Sequence, residues 1–172
     1  WHLALFRLAQ GRVGLALELF DQRIVGVPGG ALSDLIDATA LLWRISLAGH
    51  DTGDRWTALS RRWTTHVDDA YCSFTDVHAM LAFVGAGDWD RVAALERNLV
   101  RARLQPSRYG ASTRQLGLPV CRAVAAFGRG NDVLALSLLA DLHPATASGL
   151  GGSHAQRDVL HLTLLAALQR LR

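Results

Sequence analysis

The closing stretch "GGSHAQRDVLHLTLLAALQRLR" sets Ser153, His154, Gln156, Arg157, Asp158 and His161 within nine residues, directly after a glycine pair. Two imidazoles, a guanidinium and a carboxylate at this density are raw material for anion binding, proton transfer or metal ligation. At helical spacing, His154, Arg157, Asp158 and His161 share one face, next to an apolar stripe of Ala155, Val159, Leu162 and Ala166. Part of the pattern has a local explanation. Ser153 followed by Gln156 is a capping box, and Gly151-Gly152 lets the chain turn sharply into the helix. Two more clusters carry similar residue types. "FTDVHAML" holds Asp76 and His78, with Thr75 or Asp76 as the expected cap, and the chain opens on Trp1-His2.

These clusters support four readings. In the first, the histidines are buried braces at helix starts. In the second, His2, Asp76, His78, His154, Arg157 and Asp158 form the polar floor of a ligand groove, with Arg157 clamping a carboxylate or phosphate through its planar fork. Asp34 and Asp37 would join that floor. In the third, a hydrolase-type site uses the His2/Asp76/His78/His154 cluster with a histidine as general base. Ser153 already serves as a cap, no "GxSxG" occurs, and Cys72 lacks an obvious partner, so no catalytic residue is assigned. In the fourth, His154, Asp158 and His161, or His2, His78 and His154, hold a metal. Arg157 beside the ligands opposes a cation, so neither a metal nor another cofactor is expected. The ligand groove is the leading functional reading, and a metal-assisted hydrolase is the alternative.

Residues this far apart can meet only if the elements carrying them stack. Apolar positions recur at three and four along the chain, strand patterns are nearly missing, and glycine or proline punctuates at intervals. About nine helices are expected, at residues 1–10, 13–24, 31–49, 54–71, 74–87, 88–104, 113–127, 131–143 and 153–172. A loop is expected around Pro106 and Gly110, and a bend at Pro119. "GRVGLALELF", "GDWDRVAALE" and "GNDVLALSLL" repeat one junction. A glycine ends one helix, Asp88 or Asn131 caps the next, and Ala16, Ala93 or Ala135 allows close packing. Four helical hairpins and a final helix result. Such units cannot bury their faces alone, so they stack into a superhelix. First helices line its inner wall, which is how the three clusters would share a surface. Trp43 is expected in the core, and Trp56, Trp63 and Trp89 as wedges between helices. His50 and His66 are expected at the surface, and His143 at a helix end before Pro144.

"GDWDRVAALE" and "GNDVLALSLL" resemble the turn of tetratricopeptide repeats. "WHLALF", "FTDVHAML" and "GGSHAQRDV" together resemble the tetratricopeptide repeat protein 38 family, in its C-terminal part. The resemblance implies an all-helical, tetratricopeptide-like right-handed superhelix, and no established reaction. The 172 residues are then one helical-repeat domain of a longer protein.

Bulk properties narrow the remaining classes. Half the residues are hydrophobic and 19% are charged, a globular balance. All 18 basic residues are arginine, for a net charge of +3. In "ERNLVRARLQPSR" the arginines, Arg97 and Arg101 among them, are mixed with acids and read as a solvated helix face. No nucleic-acid partner is expected. No apolar run reaches about 20 residues, so no membrane span is expected. Two cysteines without a CxxC spacing fit a reducing, cytoplasmic setting. The expected partners are a protein, a peptide or a small anionic ligand.

Overall fold

The computed structural model describes residues 1–24, 31–69, 71–140 and 148–172. Among them every regular element is helical, with nine α-helices of seven residues or more. Together with the five-residue α7 they are, in order, α1 (His2–Ala9), α2 (Val13–Leu19), α3 (Leu32–Leu47), α4 (Arg55–Trp63), α5 (Ser73–Gly85), α6 (Trp89–Ala102), α7 (Arg108–Ser112), α8 (Leu118–Gly128), α9 (Asp132–Ala140) and α10 (His154–Arg170). The expected end of α9 and His143 lie outside the described residues. No helix among the described residues is long and apolar enough to cross a membrane.

The junction chemistry works as its residue types dictate. Gly87 and Gly130 take left-handed φ values of 66° and 75°, which side chains resist. Asp88 then accepts from the Arg91 N–H, and Asn131 from the Leu134 N–H. Ala16 and Ala135 are fully buried where their hairpins close. In α6 the inward residue is Val92, and Ala93 is half-buried.

Three local expectations need correction. The N-cap of α5 is Cys72, with an extended backbone, so Thr75 and Asp76 lie within the first turn and cap nothing. Arg108–Ser112 is a short helix rather than loop, and a widened π-type turn over Thr113–Gly117 joins it to α8. Pro119 has no N–H for the carbonyl four residues back. The wide turn absorbs that mismatch, and α8 continues without a break. Finally, α4 ends at Trp63 in a 3-10 turn over Thr64–His66, well short of Tyr71.

Helices joined by short turns pack in pairs: α1 on α2, α3 on α4, α5 on α6, α8 on α9. First helices also pack on one another, α1 on α3, α3 on α5, and α5 on α8. Helix α10 packs on α9 and α8 and returns to α3. Helix α5 is enclosed by α3, α4, α6 and α8, and every residue from Ser73 to Val84 is buried. A helix that is apolar around most of its circumference belongs at such a centre. Trp43, Trp56 and Phe127 meet there with ring centroids about 6 Å apart.

Candidate functional site

The three polar motifs do meet, through residues that the sequence pattern did not single out. A Cβ added at Gly152 would strike the Phe74 ring, so only glycine lets the loop before α10 close on the start of α5. Phe74 in turn lies against His78, with ring centroids 4.4 Å apart. The capping box of α10 forms as expected. The Gln156 N–H donates to Ser153 Oγ at 3.2 Å, and the Ser153 N–H donates to Gln156 Oε1 at 2.8 Å. Gln156 Nε2 then reaches across to Asp37 Oδ1 at 2.8 Å. Trp43 Nε1 donates to Thr163 Oγ1 at 2.8 Å, further along the same seam.

Arg44 is the hub. It is 9% exposed, in the last turn of α3. Its guanidinium donates to Ala40 O at 2.8 Å and to Ala155 O in the first turn of α10. It also lies 5.6 Å from the centroid of the Trp1 ring. The Asp158 carboxylate stands 4.0 Å from Nη2 and is itself half-exposed. Burial pulls the Arg44 guanidinium below its ordinary pKa, and Asp158 opposes that shift only in part. The sequence did carry a signal for this residue. A lone arginine inside "LLWRISL" must either snorkel out of an apolar helix or find partners within it.

The predicted residues fall into two groups. Asp76 and His78 are sealed, at 5% and 1% exposure, not set on an open floor. His78 Nδ1–H donates to Phe74 O at 2.8 Å, which leaves Nε2 as a buried acceptor without a partner. Burial pushes the His78 pKa down to about 4, so the ring is neutral. Burial also drives Asp76 up to about 7, although the Tyr109 hydroxyl donates to it at 3.0 Å; nearby Asp69 adds to the rise. His2, His154, Asp158 and His161 are exposed. Arg157 spends its guanidinium on the carbonyls of Gly151 and Gly152, bracing its own loop. Asp34 accepts from the Ala31 N–H at the start of α3. Asp37, half-buried beneath Gln156, has a raised pKa, chiefly from burial.

On α10 the buried line is Val159, Leu160, Thr163 and Ala167, rotated from the expected stripe. His66 pairs with Asp69 at 2.7 Å, His50 is exposed, and Trp89 is partly exposed beneath the Arg129 guanidinium. Among the described residues no three His, Cys, Asp or Glu side chains form a group able to hold a metal ion. Chemically, the junction offers one under-neutralised buried cation, a half-exposed acid facing it, and imidazoles at the surface on α1 and α10. No family model matches the chain, and no solved structure matches it.

Proposed function

We propose that this chain is a helical-repeat binding module that holds a small anion, or the carboxylate of a peptide partner, at Arg44. Arg44 takes the role that the spacing gave to Arg157. The carrying observation is the imbalance at its guanidinium. A cation this deeply buried costs desolvation, and one carboxylate at 4.0 Å repays it poorly. An incoming carboxylate or phosphate displaces the Asp158 side chain and bonds the fork directly. His2 and His154 stand at the surface on the helices that border the junction, and Trp1 covers one side.

The proposal extends to the architecture. Each first helix packs on the next first helix, and α4 packs on α5 as α6 does on α8. That neighbour pattern supports a tetratricopeptide-like superhelix. The assignment to the tetratricopeptide repeat protein 38 family rests on the three quoted motifs. Cys72 and Cys121 are both free thiols, which supports a cytoplasmic site of action.

Calorimetric titration of the whole chain with inorganic phosphate, acetate and a short peptide bearing a free C-terminal carboxylate tests the reading. Saturable binding of at least one is expected. Asp158→Asn removes the resident acid and tightens it, while Arg44→Gln abolishes it. Absence of binding, or affinity indifferent to Asp158→Asn, overturns the proposal.

A further inference from the structure

Seven of the 18 arginines fall between Glu96 and Asp132 in the sequence, and no acid does. The fold sets five of the seven along one seam. Helix α8 runs back along α6, and the two sides are linked at three levels. The Arg129 guanidinium lies over Trp89, 4.8 Å from the ring centroid. Arg122 Nε donates to Glu96 Oε1 at 2.7 Å. Arg114, in the wide turn before α8, donates to Arg103 O at 3.1 Å. The α6 side of these links steps from Trp89 to Glu96 to Arg103, so the row is about 21 Å long at the rise of an α-helix. Arg97 and Arg101, one turn apart, stand at its middle.

All five arginines are exposed. Among the described residues only Arg122 meets a carboxylate. Arg101 donates to the Asn98 side chain, Arg114 to a backbone carbonyl, and Arg129 covers an indole. Arg97 has no hydrogen-bond partner among the described residues. The other acids near the row are Asp90, in the first turn of α6, and Asp68, bonded to Asn98. They leave the row net positive. Beside the charges lies an apolar step. Ala93 and Val100, both half-buried on α6, join Glu96, Arg97 and Arg101 around a hollow of about 510 Å³. Each of these side chains keeps part of its surface in solvent.

We propose that the α6–α8 seam docks an acidic peptide segment with aliphatic side chains among its acids. Its carboxylates bond the forks of Arg97, Arg101 and Arg114, and an aliphatic side chain enters the hollow onto Ala93 and Val100. The apolar step favours a peptide over a nucleic acid, whose backbone brings phosphates but no aliphatic group. The indole that could stack a base is already covered by Arg129. The seam shares no residue with the anion site at Arg44.

Fluorescence anisotropy of the whole chain tests the assignment, with a labelled peptide of about 14 residues that carries glutamate and leucine at helical spacing. Its C-terminus is amidated, which removes the terminal carboxylate that Arg44 would take. Saturable binding is expected, weakening by about tenfold or more between about 0.05 and 0.5 M salt. The same peptide with serine for leucine binds about tenfold more weakly. The double variant Arg97→Gln, Arg101→Gln loses about tenfold or more in affinity. Both side chains are exposed, so its melting temperature stays unchanged. Arg44→Gln leaves peptide affinity unaltered, which separates this result from the fate of the anion site. No saturable binding, equal affinity for the serine peptide, an unaffected double variant, or tighter binding of poly-uridylate than of the peptide overturns the proposal.

Discussion

The first turns of α5 and α10 look alike on paper and live in opposite surroundings. Each sets serine, an acid and a histidine within a few residues of a helix start. In α5 those residues are enclosed by four helices, so the histidine is neutral and the acid is held far above the usual carboxylate range. In α10 the histidines face solvent, and the order comes from a cap, a glycine loop and Arg44. Residue type sets what a side chain can do. The neighbours around its helix set whether it can reach a ligand.

The sharpest way to break this comparison is a pair of alanine substitutions. His78→Ala opens a cavity beside Phe74 and removes the bond to its carbonyl. It should cost about 3 kcal/mol in urea unfolding. His154→Ala, at the surface, should stay within about 0.5 kcal/mol. Equal costs would erase the distinction.

Titration sharpens it next. Asp76 has a folded pKa near 7, so its native form holds a proton that the unfolded form releases above about 4. Its contribution therefore falls as pH rises from about 4 to 7. His78 works in the other direction. Its folded pKa lies near 4, so its contribution rises with pH up to about 6.5 and is lost as pH falls through 4. The two slopes nearly cancel in mildly acidic solution. Asp76→Asn should unmask the histidine slope. The stability of that variant relative to the parent should grow by about 2 kcal/mol between pH 5 and pH 8. A constant difference across that range would mean that Asp76 titrates normally.

Smaller than the His78 and Asp76 effects is that of the α10 cap. Ser153→Ala should cost about 1 kcal/mol, with hydrogen exchange accelerating in the first turn of α10 and not in α5. Protection lost in both helices would mean that the two starts behave as one unit.

Much of the fold was legible because its signals are local. Gly87 with Asp88, Gly130 with Asn131 and Ser153 with Gln156 each announce a helix boundary through chemistry spanning a few residues. The enclosure of Asp76 and His78 depends on α3, α4, α6 and α8, which no window on α5 contains. The run from Ala79 to Val84, apolar on all sides, was the available hint. Arg44 was visible as a charge out of place, yet its partners Ala155 and Asp158 lie more than a hundred positions away. The Tyr109–Asp76 bond had no sequence signal, because it depends on the short α7 where a loop was expected.

The seam between α3 and α10 also sets an order of assembly. Arg44–Ala155, Gln156–Asp37 and Trp43–Thr163 link positions separated by 111, 119 and 120 residues. Neighbouring hairpins can zip from any starting point, since each contact closes a short loop. These three crosslinks must wait until the intervening helices are in place, because closing so long a loop early brings little return. The α3–α10 seam is thus the last contact to close, although α10 also packs on its sequence neighbour α9. Opening that seam uncovers Arg44.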